Sequence, residues 1–361
     1  MKLGIVGMPN AGKTALFNSL TRSGAKSGIS PFSTKESNVG SVTVPDPRLY
    51  DLAKIYKSAK VIHAVMEFMD IAGLVRGSGK GEGLGNKFLG SIREADALVH
   101  VARCFDDDNV MHVDGSVDPV RDIETVDFEL IFADLEQLER RLVKNQKAVK
   151  ADKSLAGELE TVKKLMEQLE AGNNARSLDL SNEEKKLVKE LGLLSYKPVI
   201  YALNVDEDAL NGGNAYSAAA LEYLQKEKSE AFLVSAKLEE EIAALEDEER
   251  AVMLSELGIE ESGLDKIITA GYRLLGLMSF LTAGPKESRA WTIPLNTKAP
   301  AAAGKIHSDL ERGFIRAETV SYTDLMEKGS YQGAKEAGLV RLEGKEYVIR
   351  EGDVVLFRFN V

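Results

Sequence analysis

An α/β fold built on a doubly wound, mostly parallel sheet is what this sequence predicts, and three observations predict it. Short apolar runs rich in β-branched residues recur at residues 3–6, 39–44, 61–69, 97–102, 198–203 and 231–234, with amphipathic helical stretches separating several of them. The first run passes directly into Gly7-Met8-Pro9-Asn10-Ala11-Gly12-Lys13-Thr14, a G-x-x-x-x-G-K-T loop, and then into the amphipathic stretch at residues 15–20. Between the fourth and fifth runs the alternation stops, and residues 128–194 are helix-compatible throughout, with no proline.

The glycine-rich loop carries the chemistry. Gly7 and Gly12 let the backbone turn its N–H groups inward around a polyphosphate, and the helix that follows aims its positive dipole end at the same point. Asn10, Ala11 and Ala15 complete this cradle. Lys13 reaches the β/γ-phosphates and is a catalytic candidate, while the Thr14 hydroxyl is placed to bind Mg²⁺. The loop predicts a protein that binds a nucleoside triphosphate.

The interruption reads as an inserted antiparallel helical hairpin over residues 128–195. Leu135, Leu138, Leu142 and Val149 follow three-and-four spacing, as do Leu155, Leu159, Val162, Met166 and Leu169. Charged pairs such as Glu136 with Arg140 and Glu160 with Lys164 fill the other faces. Two narrow seams of this kind predict a coiled-coil-like arm joined near residues 151–154, either structural or partner-binding. The nucleotide domain then comprises residues 1–127 and 196–281, with a closing helix to about Leu281. Beyond it Gly284-Pro285, Pro294 and Pro300 break up short segments, and residues 347–359 read as two strands around Glu351-Gly352-Asp353. Residues 282–361 therefore form a small α+β domain.

Composition narrows the class. The chain has 361 residues, enough for two or three cores, with 44% hydrophobic and 29% charged residues. No apolar stretch approaches the roughly 20 residues of a membrane span, and the first strand argues against a cleaved leader. The single cysteine, Cys104, excludes an internal disulfide and fits a cytoplasmic protein. A net charge of −11 argues against broad polyanion binding and against sequence-specific DNA as a partner. Residues 282–361 depart from that balance, with six Lys and six Arg against three Asp and eight Glu. A nucleic-acid contact has to use such a local region.

Further motifs refine the nucleotide site. Asp70-Ile71-Ala72-Gly73 is a D-x-x-G at the end of the third run, where Asp70 holds Mg²⁺ through water and Gly73 senses the γ-phosphate. Thr34, in the polar loop before the second run, is the candidate for a second Mg²⁺ hydroxyl. Leu74 stands where a glutamine orients water in Ras-like switches, and leucine can neither donate nor accept a hydrogen bond. His112 is the candidate replacement, with a hydrogen-bonded loop histidine as the alternative. Asn10 is a candidate for helping to hold a K⁺ at the transition state. For the base, N-K-x-D is replaced by Asn204-Val205-Asp206-Glu207, so the stacking lysine becomes Val205 and the aspartate becomes the longer Glu207. Ser235-Ala236-Lys237 matches the S-A-K loop whose backbone touches the base. A guanine test altered in this way predicts ATP.

Together these residues resemble one family, the Obg-like ATPases of the YchF type within the TRAFAC P-loop class. The resemblance rests on G-x-P-N-A-G-K-T, on P-F-S-T at residues 31–34, on D-I-A-G-L-V at 70–75, on K-G-E-G-L-G-N-K-F-L at 80–89 and on N-V-D-E at 204–207. It continues through the helical insertion into the C-terminal region, residues 282–361, which from Trp291-Thr292 onward looks like a TGS domain of β-grasp fold. Ser33-Thr34 departs mildly from the two threonines common there, leaving the Mg²⁺ role of Thr34 intact. The resemblance implies an ATPase favouring ATP over GTP, with Leu74 in place of the catalytic glutamine. It also implies association with the ribosome or its large subunit and a link to oxidative-stress responses. The leading expectation is a slow ATP-hydrolysing switch. The alternatives are a nucleotide-gated binding module with incidental hydrolysis and a conventional translational GTPase. His63, His100 and His307 show no metal-ligand spacing and read as structural, as does Trp291.

Overall fold

The computed structural model describes residues 1–26, 38–71, 84–259 and 261–360. The chain divides into two compact units, one of residues 1–41 and 67–267, the other of residues 42–66 and 268–361.

The first unit is the expected doubly wound layer. Its strands and helices run β1 (Lys2–Val6), α1 (Lys13–Lys26) and β2 (Asn38–Thr43). After an excursion through α2 (Arg48–Tyr56) and β3 (Val61–Ile62), the chain returns as β4 (Val65–Asp70), α3 (Leu84–Glu94) and β5 (Ala97–Arg103). The helical insertion is α4 (Pro119–Ala151), α5 (Ala156–Glu170) and α6 (Asn182–Leu191). Then follow β6 (Val199–Asn204), α7 (Ala215–Lys226), β7 (Glu230–Val234), α8 (Ala236–Ala244), α9 (Asp247–Glu256) and α10 (Gly263–Leu274). The sheet order is β2-β4-β1-β5-β6-β7, and β1 pairs in parallel with both β4 and β5. Strand β5 is buried at every position, as expected of a central parallel strand covered on both faces.

The insertion differs from a two-helix hairpin. Asp118 caps α4 by accepting from the Arg121 amide at 3.1 Å, and Pro119 sits in its first turn. No breaker follows, so α4 runs unbroken through the expected boundary at residue 128. Its first turns bury Ile123, Val126 and Leu130 against the sheet, and its later turns bury Ile131 and Leu138 against Val162, Leu165 and Leu169 of α5. A third helix, α6, closes the same core through Val188 and starts with a Ser181/Glu184 capping box. The root of the arm is tied by charge. Arg176 donates to both oxygens of the buried Asp127 carboxylate, at 2.9 and 3.0 Å, and to the Tyr201 hydroxyl on β6 at 3.1 Å.

The second unit continues with β8 (Leu277–Ala283), β9 (Ser288–Pro294), α11 (Ala299–Ile306), α12 (Ser308–Arg312) and β10 (Phe314–Ser321). It ends with α13 (Tyr322–Lys328), α14 (Tyr331–Glu336), β11 (Arg341–Glu343) and β12 (Asp353–Phe359). Its sheet order is β11-β10-β12-β8-β9-β3, with β12 parallel to β8 and the hairpin β8–β9 antiparallel. Ala299, Ala302 and Ala303 are fully buried, and these small side chains let α11 lie close on Phe280, Ile293 and Phe357. Trp291 belongs to this core, and its indole N–H donates to Thr282 Oγ1 at 2.9 Å.

Four expectations change here. The apolar run at 61–69 is two strands in different sheets, since β3 pairs with β9 and β4 with β1. Residues 42–66 therefore belong with the C-terminal unit. Arg48 bonds Asp46 and Glu351 at 2.7 and 2.6 Å, and the Ser288 amide donates to the Lys60 carbonyl at 3.0 Å. The closing helix stops at Leu274, because Gly276 takes a left-handed φ of 64° and the apolar stretch after it becomes β8. Residues 347–359 hold one full strand, not two, and Val348 makes only an isolated bridge to Lys298.

Removing the Asp127 carboxylate leaves the Arg176 guanidinium largely buried and without its ion partner. Asp127→Ala is expected to lower the unfolding free energy by about 3 kcal/mol, measured by urea denaturation followed by circular dichroism. A change below about 0.5 kcal/mol would mean that the pair does not anchor the arm.

Candidate nucleotide-binding site

The described site residues gather at the carboxyl ends of β1, β4, β6 and β7 and in the loop after β5. That is where ligands bind in an open parallel sheet. Thr34 and Gly73, with Leu74, lie outside the described residues.

The loop between β1 and α1 has the strained backbone that its glycines permit. Gly7 has φ of 147°, and a Cβ there would meet the Val101 carbonyl oxygen at 2.3 Å. Gly12 has φ of 98°, and a Cβ would meet Asn204 Nδ2 at 2.3 Å. Asn10 is left-handed as well, with φ of 62°. The Lys13 side chain is buried and its ammonium donates to the Met8 carbonyl at 2.7 Å. Burial lowers its pKa to about 8, against a smaller upward pull from Asp70. Thr14 is exposed, and its hydroxyl donates to Asp70 Oδ2 at 3.1 Å. A hydroxyl and a carboxylate oxygen at this spacing suit a hard divalent cation, whose octahedral ligands stand about 3 Å apart.

Asn204 joins the base side to the phosphate side. Its Nδ2 donates to the Ala11 carbonyl at 2.9 Å, and its Oδ1 accepts from the Ala236 amide at 2.9 Å. Its own carbonyl accepts from the Cys104 amide at 2.8 Å. Ser235 caps α8 through the Leu238 amide. Glu207 and Lys237 face each other as an ion pair at 3.4 Å, with both side chains largely exposed. Val205 departs from the expected role. It is 2% exposed and packs with Ala102, Cys104 and Leu203, so its side chain builds the core beneath the base loop instead of stacking on a base.

His112 is 7% exposed, and both ring nitrogens are engaged. Nε2 lies 2.8 Å from Asp122 Oδ2, while Nδ1 accepts from the Asp114 amide at 3.1 Å. The accepting Nδ1 assigns the neutral tautomer with its proton on Nε2. In this arrangement neither nitrogen is open to a water, so His112 meets one only after leaving Asp122. Sequence reasoning missed three partners of this loop. Arg103, 1% exposed, donates to the Phe105, Val110 and Asp107 carbonyls at 3.1, 2.7 and 3.5 Å and thus threads the loop from within. Asn214 Nδ2 donates to the Cys104 carbonyl at 2.7 Å. Asn10 Nδ2 donates to the Met111 carbonyl at 2.9 Å. A buried arginine that bonds carbonyls and stacks over the Phe105 ring leaves no charge pattern to read. The other two contacts join residues about a hundred positions apart.

The remaining singled-out residues are structural in position. His100 is fully buried, stacks on Tyr201 and has its pKa pushed down to about 4 by desolvation. His307 caps α12 through the Asp309 amide. Cys104 is buried, and desolvation pushes its thiol up to about 12. That removes it from thiolate chemistry.

Two outcomes follow from this geometry. Asn204→Ala leaves the Ala11 carbonyl and the Ala236 amide unpaired. It is expected to weaken nucleotide affinity at least about tenfold by isothermal titration calorimetry. The second concerns protons. A lysine whose pKa is depressed in the free protein holds fewer protons above pH 8 than one neutralising phosphates, so binding at about pH 8.5 takes up protons. Calorimetry in buffers of different ionisation enthalpy should detect this uptake near pH 8.5 but not near pH 6.5, and Lys13→Arg should abolish it.

Comparison with known proteins places the chain. A family model described as 50S ribosome-binding GTPase matches residues 2–149, and a model of the C-terminal region of YchF GTPases, described as a protein of unknown function, matches residues 277–360. The relative named ribosome-binding ATPase YchF from Bacillus subtilis is 54% identical over 361 residues, spanning 99% of each chain. The relative of the same name from Escherichia coli is 50% identical, over 100% of this chain and 99% of its own. The solved structure of the Schizosaccharomyces pombe YchF GTPase superposes with a TM-score of 0.90 at 36% identity, covering 99% of this chain and 97% of that one. With the phosphate loop, Asp70 and Asn204 converging as they do, the chain belongs to the YchF family of nucleotide-hydrolysing P-loop enzymes.

Proposed function

We propose that this protein is a slow Mg²⁺-dependent ATPase that acts as a switch on the ribosome, and that ATP is preferred over GTP because of Glu207. The observation that carries the base preference is the Glu207–Lys237 pair at 3.4 Å. Guanine is read by a carboxylate that accepts two hydrogen bonds, from N1–H and from the 2-amino group. With one oxygen turned to Lys237, Glu207 has a single oxygen to offer, which suits the one 6-amino donor of adenine. Asn204 and the Ala236 amide hold this carboxylate's loop against the phosphate loop.

The backbone N–H groups from Gly7 to Thr14 bind the polyphosphate, and Lys13 moves from the Met8 carbonyl to the β/γ-phosphates. Thr14 and Asp70, joined by Thr34, are the residues that would hold Mg²⁺, which supplies charge neutralisation at the β/γ oxygens. Asn10 is also a candidate K⁺ ligand. Leu74 cannot orient water, so hydrolysis is slow and rests on His112 leaving Asp122. The ribosome as partner is supported by the names of the relatives. Charge favours the near-neutral C-terminal region or basic stretches of the arm as this chain's side of that contact, and the description of the matching family model supports the large subunit as the other side. A cytoplasmic location follows from that partner.

Competition between ATP and GTP for the purified protein tests the reading. ATP is expected to bind at least about tenfold more tightly, and Lys237→Ala, which releases the second Glu207 oxygen, to narrow that margin. Tighter binding of GTP than of ATP by the unaltered protein would sink it.

A further inference from the structure

We propose that Asn10 is a positioning residue that latches the histidine loop to the phosphate loop and keeps His112 stored on Asp122 until the phosphate loop is occupied. The inference rests on the reading above that His112 serves hydrolysis.

The choice of residue at position 10 is the first argument. With φ of 62°, its backbone is in the left-handed region, where glycine is cheapest and asparagine is the best tolerated of the larger residues. A loop that already uses Gly7 and Gly12 for such angles carries a side chain at this one. That side chain is not spent on the loop itself. Its Nδ2 crosses 101 positions of sequence to donate to the carbonyl of Met111, the residue before His112.

The second argument is how the histidine loop is anchored. Residues 105–110 are pinned from within by Arg103, whose last hydrogen bond of the series is to Val110. Asp118 begins the fixed helix α4 by capping it. Only residues 111–117 lie between these two clamps. Met111 and Val113 are 82% and 54% exposed, while His112 between them points inward. Gly115, with a left-handed φ of 73°, closes a turn on this segment, its amide donating to the His112 carbonyl at 3.1 Å. Arg121 and Asp122 on α4 hold Ser116 and His112, and Asn10 holds Met111. Asn10 alone of these belongs to the phosphate loop. Burial alternates along Met111, His112 and Val113, at 82%, 7% and 54% exposed, so a local twist that turns Met111 inward also turns His112 outward. Release of the Met111 carbonyl by Asn10 is thus linked to exposure of His112.

Asn10→Gly keeps the left-handed backbone and removes only the carboxamide, so it is the variant of choice. Loss of one neutral hydrogen bond should raise kcat for ATP about fivefold. The amide of Asp114, which donates to His112 Nδ1, should exchange its hydrogen faster by a similar factor. Asn10→Asp keeps the size and backbone tolerance but loses the donor, and should show the same faster exchange should the glycine variant fold poorly. In the double variant Asn10→Gly/His112→Ala the gain in kcat should vanish. A fall in kcat with Asn10→Gly, as expected of a lost K⁺ or phosphate ligand, overturns the latch, and so does unchanged exchange at Asp114. If His112→Ala alone turns over ATP at the unaltered rate, the catalytic reading of His112 has failed. The exchange measurement still decides the latch.

Discussion

The Asn204 carboxamide is the contact on which the nucleotide site depends. One buried side chain donates to the phosphate loop at Ala11 and accepts from the base loop at Ala236, while its main-chain carbonyl holds the start of the histidine loop at Cys104. Each of these loops leaves a different strand, and Asn204 bonds all three. Gly12 shows how tight the arrangement is, since even a methyl group there would collide with Asn204 Nδ2. A low-dielectric setting strengthens such bonds and makes any unpaired member costly. Asn204 therefore ties the placement of each loop to that of the other two.

The same logic recurs in the buried charges of the first unit. Arg176 holds Asp127 and Tyr201 at the root of the arm, and Asp134 accepts from the Leu194 and Ser195 amides and the Ser195 hydroxyl. Arg103 satisfies three carbonyls of an irregular loop that has no ladder of its own. Buried ionic groups of this kind add little net stability, yet losing one partner is expensive. Their use here is to hold the turns that no secondary structure would hold. The arm and the histidine loop are two places that carry them.

Three polar groups of the site are satisfied within the chain. Lys13 donates to the Met8 carbonyl, Thr14 donates to Asp70, and His112 is paired to Asp122. Under the proposed function these are the groups that a triphosphate and its metal would engage, so binding would exchange internal bonds for ligand bonds.

The sequence by itself determined the parts whose chemistry is local. The phosphate loop, the D-x-x-G aspartate, the altered base motif and the seam of the arm are all read from residue type at fixed spacing, because glycine angles, helix periodicity and ligand donors are properties of short segments. The sequence also carried the family, since its motifs span nearly the whole chain. Only the tertiary structure decided the rest. It split the run at 61–69 between two sheets, turned the end of the expected closing helix into β8, sank Val205 into the core and paired His112 with Asp122. These outcomes depend on which surfaces are left to be covered once the whole chain has packed. An apolar run of given length satisfies a helix or a strand equally well, and a histidine flanked by apolar residues does not announce whether its partner is water or a carboxylate ten residues on.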